Sequence, residues 1–405
     1  MTAITHGALA VLVAAAATLL ALASARLGAR IRLPAPALFL VAAVAAAAAV
    51  PALRVPLPAA QQTVAVALAL ILFNGGMGIG VGRLRGVAAA ITWLGIAGTV
   101  VTAAGFAAVA HYLFGFGWTA ALLLGTALSP TDPAVVFSVL GRRRVRGRSG
   151  TLLEGESGAN DPVGIALMAA LLLGGGVSGG LVEFALQMAV GAGLGVLGGL
   201  ALRWFMREVS LPDAGMYQLR ALAGALVVYG GATAAHGSGF LAVFVAGILI
   251  GDARAPYKRE IEHFSGALAA LAEIVAFVML GLTVQLADLA SPRVWATGLA
   301  LAVILAFVLR PVLVGLVLWP VRLARNERAF VLFAGLKGAV PILLGTFIAT
   351  SDVAGKERLY GIVVVVVTFS VVVQGGLTPF LATRWRLPIT VADPEPDAVG
   401  VRPLG

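Results

Sequence analysis

The sequence predicts an all-α polytopic membrane protein with about thirteen transmembrane helices, and three observations carry that prediction. The chain is 60% hydrophobic and 11% charged, with a mean hydropathy of +1.02, whereas a soluble domain carries about 25% charged residues. Apolar runs of about 20 residues, each long enough for a ~30 Å hydrocarbon core, recur from end to end. The short alternating strands of a membrane β-barrel are not among them.

In order, the apolar segments read as 6–25, 35–53, 61–82, 88–110, 117–140, 150–173, 181–202, 217–235, 238–251, 265–287, 294–319, 329–350 and 359–383. The least marked boundary is His236-Gly237-Ser238-Gly239, between the eighth and ninth. No basic stretch precedes the first run, which reads as a span rather than a cleaved signal. Of the 28 basic residues, 22 fall after odd-numbered segments, with Arg220 at the start of the eighth segment counted in the loop before it; four fall after even-numbered ones, and Arg310 and Lys337 lie inside apolar segments. This asymmetry places the odd loops and the C-terminus in the cytoplasm and the N-terminus outside, as in a multi-pass protein of the cell membrane. It also accounts for the net charge of +10 and for the arginine run 142–148 without invoking nucleic acid. Residues 1–383 thus form the transmembrane domain, in contact with the lipid bilayer, and 384–405 a short cytoplasmic tail expected to be disordered.

Composition also limits the chemistry. There are no cysteines, which excludes disulfides and thiolate sites, and the four histidines are scattered without metal-ligand spacing. No cofactor and no enzymatic activity are expected. Glycine clusters such as Gly191, Gly193, Gly195, Gly198 and Gly199 read as close helix packing rather than as phosphate-binding loops.

Carboxylates within spans are functional candidates, because holding one there costs a few kcal/mol or more. The fifth segment contains Ser129-Pro130-Thr131-Asp132-Pro133, whose two prolines free backbone groups that must line a cavity or pack on protein. Freed carbonyls and the Thr131 hydroxyl are hard oxygen ligands for Na⁺ or K⁺. Asp132 either joins them or neutralises the positive end of a half-helix. The sixth segment carries Glu154, Glu156, Ser157, Asn160 and Asp161, with Pro162 next to Asp161 expected to distort the helix. Glu154, Ser157 and Asp161 share one face, and Glu156 and Asn160 an adjacent one. Asp161 is the deepest of these acids. A buried carboxylate favours its neutral form and a bound cation favours the charged one, the competition that exchange requires. Arg310 needs an acidic partner, for which Glu156 is the best candidate, and Lys337 in Gly335-Leu336-Lys337-Gly338-Ala339-Val340-Pro341 faces the carbonyl end of a half-helix.

Together these stretches resemble the monovalent cation:proton antiporters, the NhaP-like Na⁺/H⁺ or K⁺/H⁺ exchangers. Leu128–Val136 is similar to the family's Thr-Asp-Pro segment and Leu153–Pro162 to its Glu-Ser-x-x-Asn-Asp segment; Ser238–Gly247 and Gly335–Ile342 match two further stretches. The resemblance implies inverted repeats, with interleaved dimerisation and core subdomains and with the fifth and twelfth helices unwound and crossing near Asp161. It implies a cation- and proton-binding site of Thr131, Asp132, Ser157, Asn160 and Asp161, with Glu156 and Arg310 as an orienting ion pair and Lys337 compensating a helix dipole. A homodimer exchanging Na⁺ or K⁺ for H⁺ one for one would serve pH homeostasis. Asn74 stands where many relatives have an acid, and Lys337 where the NhaP-like branch more often has arginine. Two rivals are an intramembrane aspartyl hydrolase using Asp132 and Asp161 and a cation channel.

Overall fold

The computed structural model describes residue 19 and residues 34–132, 135–136, 143–145, 148–172, 176–385 and 389–391. Among them are thirteen helices of at least nine residues, counting as one those that continue through a π-turn. They are α1 (Ala35–Ala49), α2 (Leu57–Arg85), α3 (Ala88–Phe114), α4 (Trp118–Ala127), α5 (Arg148–Leu172), α6 (Gly176–Glu208) and α7 (Ala214–Ala234). There follow α8 (Gly239–Gly251), α9 (Lys258–Thr283), α10 (Pro292–Val317), α11 (Arg325–Phe333), α12 (Ala339–Thr350) and α13 (Lys356–Arg384). Six of them, α2, α3, α6, α9, α10 and α13, are long and apolar enough to cross a membrane. Twelve of the expected segments correspond to described helices, the twelfth being split into α11 and α12; the first, 6–25, lies outside the described residues apart from Leu19.

Local chemistry sets the helix ends. Proline stands at the first turns of α1, α2 and α10, where its missing N–H costs nothing. Gly115, in the left-handed region at φ 70°, closes α3, and its N–H and that of Phe116 bond the His111 and Ala110 carbonyls. The doubtful boundary between α7 and α8 is a real one: His236 turns left-handed, and the Ser238 hydroxyl caps α8 by accepting from the Leu241 N–H at 3.3 Å. In α13 the run Val363–Val367 is helical and buried despite its β-branched side chains. In lipid a span must satisfy its backbone internally, and that requirement outweighs propensity.

Glycines let α8 lie close between two neighbours. Gly191, Gly195 and Gly199 of α6 meet the cap residue Ser238 and Ala242 and Ala246 of α8, while Gly247 and Gly251 of α8 meet Phe73 and Met77 of α2. Near its end α2 breaks at Gly80 (φ 63°), where the Asp252 carboxylate packs against it and accepts the Gly82 N–H at 2.5 Å. α9 packs on α1, α2, α7 and α12, and α13 on α10 and α12.

Three details differ from the sequence reading. Arg220, counted there as a loop residue, lies buried within α7. Its guanidinium donates to the Phe205, Val209 and Met206 carbonyls at 2.9, 2.7 and 3.3 Å, capping the end of α6, and stacks on Phe205 and Tyr217. Pro162 does not interrupt α5, which runs unbroken from Arg148 to Leu172; one lost backbone bond, to the Gly158 carbonyl, is tolerated among those that remain. Of the tail 384–405, Arg384 closes α13 and β2 (Ile389–Val391) pairs antiparallel with β1 (Arg143–Val145) of the arginine run; residues 386–388 and 392–405 lie outside the described residues.

Candidate functional site

Two breaks in helical structure meet beside α5. α4 ends at Ala127, and residues 129–132 are non-helical; α11 ends at Phe333, and residues 335–338 are non-helical before α12 begins. The two breaks are joined by the Asp132 N–H donating to the Leu336 carbonyl at 2.8 Å. Gly164 of α5 lies against the Pro130 ring, with no room for a side chain between them.

Each exposed helix end is met by a charge of the appropriate sign. The C-terminal end of α4 is met by Lys337, whose Nζ donates to the carbonyls of Ser129 at 3.1 Å and Pro130 at 3.0 Å. The C-terminal end of α11 is met by Arg310, which donates through Nε to the Leu332 carbonyl at 2.9 Å and through Nη2 to that of Val331 at 3.3 Å. The N-terminal end of α12 is met by Asp132, whose carboxylate lies directly over Gly338. Cations at carbonyl ends and an anion at an amide end both oppose the helix dipole, and in lipid such freed groups have no water to turn to. The Nη2 of Arg310 also donates to Glu156 Oε1 at 2.9 Å, with both residues buried. Arg310 and Pro311 stand in a π-turn of α10, Leu305–Val314, at the kind of distortion proline imposes.

The neutral polar groups form a second cluster. The Asn160 amide donates to Thr131 Oγ1 at 2.8 Å and its carbonyl accepts the Thr131 N–H at 3.3 Å, while Thr131 Oγ1 and Ser157 Oγ share a hydrogen bond at 3.1 Å. All three residues are buried. Asp161, next along α5, is half-buried and lies within electrostatic reach of Asp132 and Lys337. Eight sequence-chosen residues thus fall in one region, and chemically it offers hydroxyl, amide and carboxylate oxygens around a break in two helices.

The sequence reading missed two residues that hold this arrangement. Ser370 accepts the Lys337 N–H at 2.9 Å and donates to Gln374 Oε1 at 3.0 Å; Gln374 in turn donates to the Phe333 carbonyl at 2.7 Å, the last of α11. Both stand in the π-turn Ser370–Gln374 of α13. A polar pair spaced i, i+4 in an otherwise apolar span was the available signal.

Gly338 provides a direct check on the packing. A methyl group there would occupy the place of the Asp132 carboxylate, so Gly338→Ala is expected to destabilise the folded protein by about 1–3 kcal/mol. Thermal melting in detergent followed by size exclusion measures this, and an unchanged midpoint would contradict the placement of Asp132.

Comparison with known proteins agrees with this architecture. The transmembrane sodium/hydrogen exchanger family matches residues 14–384. The chain is similar to the K(+)/H(+) antiporter NhaP of Alkalimonas amylolytica, at 35% identity over 75% of this chain and 53% of that one. It is also similar to the K(+)/H(+) antiporter NhaP2 of Shewanella oneidensis, at 33% identity over 74% and 52%, and to the Na(+)/H(+) antiporter NhaH of Halobacillus aidingensis, at 30% over 70% and 73%. The aligned region spans about half the length of the first two relatives. In fold it resembles the sodium proton antiporter MjNhaP1 of Methanocaldococcus jannaschii, with a TM-score of 0.77 and 20% identity over 93% of this chain and 97% of that one. By the match across residues 14–384, this chain belongs to the transmembrane sodium/hydrogen exchanger family.

Proposed function

We propose that the protein is a secondary antiporter that exchanges a monovalent cation, Na⁺ or K⁺, for H⁺ across the membrane, one for one and without net charge transfer. The observation that carries this reading is the half-buried Asp161 carboxylate beside the hydrogen-bonded Thr131, Ser157 and Asn160. The names borne by its relatives, K(+)/H(+) and Na(+)/H(+) antiporter, support it.

With the site open to the cytoplasm, Asp161 releases its proton and takes a cation, helped by the oxygens of Thr131, Ser157 and Asn160. Asp132 holds the amide end of α12 and adds negative charge nearby. The loaded site is then exposed on the other side, where a proton displaces the cation. A bare carboxylate is costly to bury, so only the loaded or protonated form crosses; that restriction couples the two fluxes. The breaks at 129–132 and 335–338 serve as the two unwound crossing segments of inverted repeats, with Lys337 and Arg310 keeping their freed carbonyls neutralised through the movement. The Glu156–Arg310 pair fixes the orientation of α5 against α10. In this reading the protein works as a homodimer in the cell membrane, N-terminus outside and C-terminus inside, and serves pH homeostasis.

Inverted vesicles holding an acid-inside gradient, reported by a ΔpH-sensitive dye, test the proposal. Addition of at least one of Na⁺, K⁺ and Li⁺ is expected to collapse the gradient, with no current across a planar bilayer containing the same protein. Current without proton coupling would make it a channel. If folded protein in the vesicles responds to none of the cations at any pH, exchange is refuted.

A further inference from the structure

Glu273 lies in the middle of α9, one of the helices apolar and long enough to span the membrane. Its Oε1 is shielded from solvent and has no hydrogen-bond partner among the described residues. Among the described residues, the acid Asp132 lies within electrostatic reach of it. The two buried cations of the site are already engaged, Lys337 with the Ser129 and Pro130 carbonyls and Arg310 with Glu156 and the α11 carbonyls. Of the helices packed on α9, α1 and α12 carry no titratable side chain. α2 carries only Arg83 and Arg85, at its far end. α7 carries Tyr217, Tyr229 and Arg220, whose guanidinium is held by the α6 carbonyls. A half-buried acid with a shielded, unpartnered oxygen and a second acid within electrostatic reach is costly to keep for packing alone; glutamine or leucine would fill the same space.

The surroundings of α9 point to what the carboxylate serves. Gly266 lies two turns before Glu273 on the same face, and it meets the side-chain oxygen of Asn74 on α2. Asn74 lines a cavity of about 430 Å³ together with Arg83, Asp252 and Glu262, on the side that the arginine distribution places in the cytoplasm. Asn74 thus meets α9 on the face that carries Glu273, and Asp132, next to Thr131, lies within electrostatic reach of Glu273.

We propose that Glu273 and Asp132 flank a loading subsite for the transported monovalent cation, between the Asn74 cavity and Asp161. The inference rests on the antiport reading and adds a specificity-determining carboxylate to it. A cation between the two acids satisfies the unpartnered oxygen and brings the ion to the threshold of Asp161; the spacing of the two carboxylates then weighs one ion radius against another.

The test uses the full chain in proteoliposomes, with exchange rate measured against cation concentration. Glu273→Gln keeps the shape and removes the charge; it is expected to raise the apparent KM for the cation about tenfold while leaving the maximal rate within about twofold, with Glu273→Asp intermediate. A lower maximal rate at unchanged KM would mark Glu273 as merely structural and overturn the proposal. Because a variant can misfold, a second measurement uses the unmodified protein. Dicyclohexylcarbodiimide is expected to modify Glu273, as mapped by mass spectrometry, and the cation that collapses the gradient is expected to protect it while choline does not. Absence of modification, or modification that the cation leaves unchanged, also overturns it. If the wild type shows no exchange, the antiport reading itself fails; if exchange is intact and Glu273→Gln has the wild-type KM, only the subsite fails.

Discussion

Asp161→Asn is expected to reduce cation-dependent proton movement to the level of protein-free vesicles while leaving the protein folded. Asparagine nearly matches the shape of the side chain, and none of the Thr131, Ser157 and Asn160 hydrogen bonds involves Asp161, so the fold has little reason to change. What is lost is the one function asparagine cannot perform, alternating between a bound proton and a bound cation. The effect therefore falls on transport and not on stability. A monodisperse variant with wild-type melting and no gradient collapse is the expected pair of results. Residual exchange above a few per cent would mean that another carboxylate carries the proton, with Asp132 and Glu273 the first to examine.

The second large effect falls on stability. Arg310→Ala removes the partner of buried Glu156 and two donors to the α11 carbonyls at once. Breaking a buried ion pair from one side costs about 3–5 kcal/mol, since the remaining charge is left uncompensated. The variant is expected to express poorly or melt far below the wild type. The double variant Glu156→Gln/Arg310→Met is expected to recover much of that loss, because it buries no unpaired charge. A double variant no better than Arg310→Ala would place the weight of Arg310 on the α11 carbonyls rather than on Glu156. Melting midpoints of the three variants decide the matter.

Much of the site was legible because charge in a hydrophobic span demands an explanation. Arg310 and Glu156 stood out as unlike charges in spans, and they lie 2.9 Å apart. Lys337 amid glycines and a proline pointed to a helix break facing carbonyls, and its ammonium bonds those of Ser129 and Pro130. The neutral supports were harder to see. Ser370 and Gln374 cost little to bury once hydrogen-bonded, so their i, i+4 spacing in an apolar span is a weak mark beside a charge, and its meaning shows only where the α11 break brings its free carbonyl to them. Glu273 was legible by the same rule as Asp161 and was passed over because it stands alone, without a motif around it. Proline proved an ambiguous signal. Pro130 stands in the non-helical stretch after α4, yet Pro162 sits inside an unbroken α5. The difference lies in tertiary contacts that local sequence does not record. Helix ends were the least legible of all, and placing Arg220 outside its helix hid its role as a cap on α6.

The central claim is that one carboxylate is shared in turn by a proton and a cation, and proton release on cation binding measures it most directly. Purified protein in weakly buffered detergent, at a pH where the site starts protonated, is titrated with Na⁺ and K⁺ while a pH indicator records the solution. About one proton per chain should appear as the transported cation saturates, and none from Asp161→Asn. Cation binding without proton release in the wild type, or undiminished release from Asp161→Asn, would contradict exchange at Asp161.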